Sequence, residues 1–480
     1  MKKLNLLILM LCSVLLIASC ETGGDRAHNK PTNKEEQEKP DSGDEGKDEP
    51  GGSQTPTDPS LDEVYPLIST DPTFVTSDTT ADVIVYINTE GTGLEGFTGA
   101  IYAHTGVLTT ASKTTGDWKH VKFDWAVNDN SCKLTKVKNN VHKLVIKGGP
   151  RAFYGVPAST TITHLAFVFR SADGTKEMKD NGNDIFVAIS EPGLAVKFIS
   201  PSNRTILDIN EKCVVSVASK DATSVTLYQN DQVVATSAGQ DIKYAYTATV
   251  SEDIVFKAEA TDGSKTISES AYATVLGAST NEARPAGVKD GVTVNGSSAT
   301  IVLFAPGKEQ VVLLGDFNDF IPSNKHMMKK DGDYFWLTVD GLTPNTEVAY
   351  QFLVDKTIKC ADPYGTKILD PWNDKWINQE GVIYPNLREY PAGKTTDVVS
   401  VFATTPATFN WSVADFKRPK QNSLAIYELL FRDFTTERSV KAAIAKLDCL
   451  KTLGINAIEL MPIQEFDGNN SWGYNPCFYF

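Results

Sequence analysis

The sequence predicts a multidomain, mostly β chain: three successive β-sandwich domains, then a strand–helix–strand unit of α/β type. Three observations carry this. Short apolar or alternating runs, broken by Gly-, Asn- and Asp-rich turns, recur from residue 61 to about residue 405. The apolar period then changes from that of a strand to that of a helix and back between residues 423 and 461. Finally, 480 residues make room for several domains at about 100 to 200 residues each.

The N-terminus reads as an address rather than as part of the fold. Lys2 and Lys3 precede an apolar run from Leu4 to Ile17, too short to span a bilayer and typical of a secretory h-region. Ile17, Ala18, Ser19 and Cys20 resemble a lipobox, whose thiol takes up lipid and becomes the first mature residue. Residues 1–20 are thus expected to be a lipoprotein signal peptide ending at the lipid anchor Cys20, which makes the membrane a partner through its acyl chains. Residues 21–60 carry eleven acids, five bases and almost nothing apolar. Such a segment buries too little surface to offset its ordering entropy, so a disordered acidic tether of about 35 Å r.m.s. reach is expected.

Of the net charge of -14, that tether contributes -6, five bases against eleven acids. Acidity of this kind excludes nucleic acid as a partner, because phosphates need Lys and Arg to neutralise them. Cys132, Cys213, Cys360, Cys449 and Cys477 are scattered without the spacing of a zinc site and read as buried small hydrophobes.

Within residues 61–192, strands are expected at Asp82 to Asn88, Ala100 to His104, Lys133 to Val137, Val141 to Ile146, Ile162 to Arg170 and Ile185 to Ile189. Residues 193–278 repeat the pattern in a smaller, immunoglobulin-like unit, with strands at Cys213 to Ala218, Ser224 to Tyr228, Gln232 to Thr236, Tyr244 to Val250 and Ile254 to Ala260. Residues 279–405 form a third β unit with strands at Ala299 to Ala305, Gln310 to Leu314, Tyr334 to Val339 and Glu347 to Val354. In residues 406–480, Ser423 to Phe431 and Ile455 to Met461 are continuous apolar runs suited to strands buried on both faces. Between them Val440, Ile444, Leu447, Leu450 and Leu453 recur at helical spacing, and Gly454 sits where a helix C-terminus takes a left-handed residue. This is a βαβ unit with a parallel strand pair.

The stretch Leu424 to Thr435 (Leu-Ala-Ile-Tyr-Glu-Leu-Leu-Phe-Arg-Asp-Phe-Thr) resembles the first barrel strand of glycoside hydrolase family 13, the α-amylase family. Leu453 to Ile463 resembles its second strand, and Ser471-Trp472-Gly473-Tyr474-Asn475-Pro476 the following loop in pullulanase, isoamylase and branching-enzyme relatives. Gly315-Asp316-Phe317-Asn318-Asp319-Phe320 is similar to the signature of the family 48 carbohydrate-binding sandwich that precedes such barrels, with Phe320 in place of Trp. Asp362-Pro363-Tyr364 and Leu369 to Asp374 look like the lead-in to the barrel, and these motifs are expected to be mostly structural. More distantly, Tyr102 to Val107, Trp118, Trp125, Phe153 and Tyr154 are similar to N-terminal modules of Bacteroidetes amylases and to starch-binding modules of families 25 and 26. The resemblance therefore implies carbohydrate-binding-like, immunoglobulin-like and family 48-like sandwiches, followed by the first βαβ unit of an incomplete (β/α)8 TIM barrel.

The implied function is that of a surface-anchored α-glucan hydrolase acting on starch, glycogen or pullulan with retention. Such chemistry needs a carboxylate nucleophile and a carboxylic acid about 5 to 5.5 Å apart. A full barrel takes about 250 residues, and the resemblance puts those carboxylates after its second strand. No catalytic residue is therefore assigned here, Glu459 and Glu465 included, and residues 1–480 alone are expected to be inactive. The alternative is a non-catalytic starch-binding surface lipoprotein. Tyr474 carries over as the aromatic that stacks under the sugar in relatives, with Trp472 beside it, unless both merely pack the loop. Trp118, Trp125 and Tyr154 are candidate stacking residues in the first sandwich; with the two Trp seven positions apart, both can face one side, or one can be core. No metal ligand or cofactor is evident; calcium in the intact enzyme has no assignable ligands here. The expected location is the outer membrane of a Gram-negative, Bacteroidetes-like cell, on its outer face. The unfinished barrel should expose apolar faces and leave residues 423–480 prone to aggregation in isolation.

Overall fold

A computed structural model describes residues 66–180, 183–378, 384, 386–405, 409–413 and 415–479. The signal, Cys20 and the tether lie outside the described residues. Among the described residues no helix is long and apolar enough to cross a membrane.

Three pairs of β-sheets follow one another along the chain. In the first, one sheet orders the strands Ile68–Asp71, Val83–Asn88, Val141–Ile146 and Thr135–Lys138. The other pairs Ile101–Thr109 with Ile162–Ser171, which also carries Glu177–Met178 and Ile185–Ala188. The two-residue period does the work: Val83, Val85 and Ile87 point inward on one sheet and Leu165, Phe167 and Phe169 on the other, closing one core. The short helix Gly149–Tyr154 adds Phe153 and Tyr154 to it.

The second pair joins a five-stranded sheet to a three-stranded one around Val215, Val217, Leu227, Phe256 and Ala258. Its longest ladder pairs Glu252–Thr261 with Thr266–Val275 over ten residues. The second of these strands is polar at Thr266, Ser268, Glu269 and Ser270, so apolar patterning alone does not reveal it. The third pair sets a sheet of Gly291–Asn295, Ser298–Phe304, Tyr334–Val339 and Lys329–Asp331 against one built on Val311–Gly315, Glu347–Val354 and Val399–Ala403. Leu313, Phe335, Tyr350 and Phe352 fill the space between them.

The sandwiches are joined by side chains. Lys197 Nζ donates to the Thr73 carbonyl at 2.5 Å across the first joint. At the second joint, Leu276 and Ile206 pack with Val312, Leu314, Phe320 and Val401 in one apolar cluster, and Thr274 Oγ1 donates to the Pro322 carbonyl at 2.7 Å. The Gly315–Phe320 motif shapes this contact. Asn318 accepts from the Gly315 amide and donates to the Leu313 carbonyl, both at 2.9 Å, folding a tight turn that turns Phe320 under the second sandwich. Phe320 is only 1% exposed there, and Asp319 pairs with Arg204 at 3.0 Å.

After the third sandwich, Ile426–Leu429 and Ala457–Leu460 pair in parallel, as the periodicity implies. Three details depart from expectation. The connecting helix is split into Val440–Ile444 and Leu447–Thr452, because the bonds at the break tighten to three-residue closures such as Lys446 N to Ala443 O. Both strands expected to be buried are largely open: Ile426, Ile458 and Leu460 are exposed, since only one neighbour covers each strand. Cys449 and Cys477 are also exposed rather than buried, while Cys132 is buried as expected. Gly454 takes φ +87°, the left-handed conformation that ends the helix.

Candidate functional site

The outward face of the Ile101–Thr109 strand and its partners carries a row of rings. Strand alternation turns Ala103, Thr105 and Val107 into the core, so Tyr102 and His104 face out. His104 lies between the two candidate tryptophans: its ring stacks on Trp118 at 5.5 Å and 23°, and meets Trp125 edge-on at 5.2 Å. Trp118 continues the row to Phe186 at 6.4 Å, and Phe186 to His164 at 6.2 Å.

This row is held from beneath. Arg170, buried, lies 5.4 Å from the Trp125 ring and 5.9 Å from Tyr102, and its guanidinium donates to Asn128 Oδ1 and the Val127 carbonyl, both at 2.9 Å. Trp125 leans on the turn at Gly174, where a Cβ would come within 3.2 Å of its indole nitrogen. That turn is fixed by Asp173, whose carboxylate accepts from Ser171 and Thr175 and is thereby held down at about 2. Trp118 donates its indole N–H to the Thr115 carbonyl at 3.0 Å. Burial, then the Arg170 charge, lowers the pKa of His104, so a neutral imidazole fills the row at neutral pH. Trp125 remains 38% exposed, leaving ring surface for a ligand.

Trp118 and Trp125 thus share one face, which their spacing allowed. Tyr154 does not join them. It is 6% exposed, in the core, and its hydroxyl meets Thr105 Oγ1 at 2.6 Å. Thr105 spends its own proton on the Ala166 carbonyl at 2.8 Å, so Tyr154 is the donor and stands as a structural residue, correcting the stacking role expected for it. His104, Phe186 and Arg170 were missed as site residues; the alternation of Tyr102 and His104 on one strand face was the available signal.

A second cluster lies at the βαβ unit. Trp472 and Tyr474 are 64% and 60% exposed, and Tyr474 donates to Glu428 Oε1 at 2.6 Å. Glu428 registers beside Glu459 on the parallel pair. Gly473 between the two rings has φ +86°, and a Cβ there would lie 2.2 Å from the Pro462 carbonyl oxygen, so this turn requires glycine. Arg432 ties the loop down through the Ser471 carbonyl at 3.1 Å and Asn470 at 2.5 Å, and Asn469 donates to the Asn373 carbonyl at 2.7 Å. Where this loop meets the lead-in, burial and the charges of Asp374 and Asp370 push Glu465 up to about 7, and burial pushes Asp374 up to about 6. The lead-in aspartates are structural: Asp370 accepts from the Trp372 and Asn373 amides at 2.7 and 3.1 Å, and buried Asp362 accepts from Tyr350 at 2.6 Å. Among the described residues no group of three or more His, Cys, Asp or Glu is placed to hold a metal ion.

Paired sandwiches thus lead into a parallel βαβ unit, with exposed rings at Trp125, Trp472 and Tyr474. Residues 289–372 match the carbohydrate-binding module 48 family, the isoamylase N-terminal domain. The chain is 28% identical over 193 residues to malto-oligosyltrehalose trehalohydrolase of Saccharolobus solfataricus, covering 40% of this chain and 27% of that protein. It is 26% identical over 204 residues to chloroplastic isoamylase 1 of Oryza sativa subsp. japonica, covering 38% and 24%. A solved structure similar to it is the Group B Streptococcus pullulanase SAP, at 16% identity and TM-score 0.27, covering 58% of this chain and 40% of that one. The matches to the two curated relatives span about a quarter of their length. The carbohydrate-binding module 48 match covers residues 289–372, and the chain as a whole is similar to α-amylase-like proteins of these kinds.

Proposed function

We propose that this chain is the glucan-capturing part of a surface-anchored α-glucan hydrolase. The observation that carries the reading is the Trp125–His104–Trp118 row, half-buried at His104 and Trp118, exposed at Trp125, and fixed from below by Arg170. Flat rings offer the apolar face of a glucosyl unit a complementary surface, and rings already locked lose little entropy on binding. The row holds polymer, while Tyr474, oriented by Glu428, lies under a sugar at the barrel entry. Hydrolysis with retention is the activity of the whole protein. Anchoring through lipidated Cys20 at the outer face of the outer membrane belongs to the same proposal, and it suits a polymer too large to cross that membrane uncut.

Affinity electrophoresis of the full chain in amylopectin tests the capture step. The wild type should be retarded, and Trp118→Ala and Trp125→Ala should each migrate faster through the polysaccharide than it does. Unretarded wild type would remove the reading. Metabolic labelling with a fatty acid tests the anchor: Cys20→Ala should lose the label, and an unlabelled wild type would sink that part.

A further inference from the structure

The joint between the first and second sandwiches forms a half-open cleft of about 590 Å³, in the range of small-ligand sites. Its walls come from both modules: Tyr86, Phe186 and Ala188 on one side, Phe198, Ser216 and Lys243 on the other. Ser216 faces it because Val215 and Val217 on either side turn into the core of the second sandwich. The walls are tied together rather than merely adjacent. Lys197, itself lining the cleft, donates across the joint to the Thr73 carbonyl at 2.5 Å and lies over the Phe74 ring at 5.0 Å.

The lining chemistry is narrow. Aromatic and aliphatic surface alternates with serine and threonine hydroxyls and two ammonium groups, and none of the lining residues is a carboxylate. Rings for apolar faces and donors for hydroxyl oxygens suit a neutral sugar chain. Phe186 supplies the continuity: one edge of its ring meets Trp118 at 6.4 Å, and the same side chain lines the cleft.

We propose that an α-glucan lying on the Trp125–His104–Trp118 row runs past Phe186 into this cleft, so that the joint between the modules is a second binding segment for one oligosaccharide. The proposal rests on the row being a glucan platform. It makes affinity depend on chain length, because a sugar chain long enough to reach the second segment gains it as an intramolecular event.

Titration calorimetry of the full chain with maltotriose and maltoheptaose tests it. Maltoheptaose should bind at least about tenfold tighter than maltotriose. Ala188→Trp, at an exposed lining position, and Ser216→Trp should each fill the cleft, abolish that gain and leave maltotriose affinity unchanged; Trp118→Ala should weaken both ligands. If both filled variants bind maltoheptaose as the wild type does, or if the wild type shows no gain with length, the cleft proposal is overturned while the platform stands. If Trp118→Ala changes neither affinity, or the wild type binds neither sugar, the platform fails and the cleft proposal with it.

Discussion

Glu465 should act as a pH-dependent lock between the loop after Ala457–Leu460 and the lead-in segment at residues 370–376. Its carboxyl is half-buried against Asp374 and Asp370, which raises its pKa from an ordinary 4.5 to about 7. The folded state therefore keeps a proton that the unfolded loop releases between about pH 4.5 and 7. The stability this lends is full below about pH 4.5, declines as pH rises through that window, and is gone above about 7. At about 1.4 kcal/mol per pH decade the full effect would be roughly 3 kcal/mol; because the group is partly solvated, screening reduces it to about 1 to 2 kcal/mol. Asp374, raised to about 6, adds in the same direction between about pH 3.8 and 6. Glu465→Gln keeps the shape of the neutral acid and removes the charge. Hydrogen exchange, expressed as protection factors for residues 463–478 and 370–376, should show wild-type protection falling from pH 5 to 8. At pH 8 the variant should be about tenfold better protected, with a residual slope from Asp374. Equal or lower protection in Glu465→Gln at pH 8, or wild-type protection that rises with pH, would refute the reasoning.

Other substitutions check the remaining assignments. Tyr154→Phe should cost about 1 to 2 kcal/mol by leaving Thr105 short of a buried donor, measured by denaturant unfolding, with unchanged migration in amylopectin; lost retardation without lost stability would restore it as a binding residue. Phe320→Ala should remove about 3 to 5 kcal/mol from the contact between the second and third sandwiches and open the linker near Leu276 to limited proteolysis. An unchanged cleavage pattern would mean that Phe320 does not hold the joint. Gly473→Ala forces a Cβ onto the Pro462 carbonyl, so the Trp472–Tyr474 turn should shift and tryptophan fluorescence with it; an unaltered spectrum and unaltered exchange in residues 470–476 would contradict the clash.

The alternating runs, the change of period near residue 423 and the turn-forming motifs were enough to establish the succession of β-sandwiches and the parallel βαβ unit. Each depends on local backbone preference and on which face of an element is apolar, and both are written in neighbouring residues. The strand Ile68–Asp71 and the polar half of Thr266–Val275 escaped because pairing with a distant partner, not their own pattern, makes them strands. The site divides in the same way. Trp118 and Trp125 stood out by residue type, but only the tertiary structure slots His104 between them, sets Arg170 beneath them and carries the row on to Phe186. The same packing turned Tyr154 inward and covered Phe320 with the second sandwich. An aromatic ring is equally suited to a core and to a sugar; which it serves depends on whether another part of the chain reaches it first, and that is decided by contacts between residues far apart in sequence.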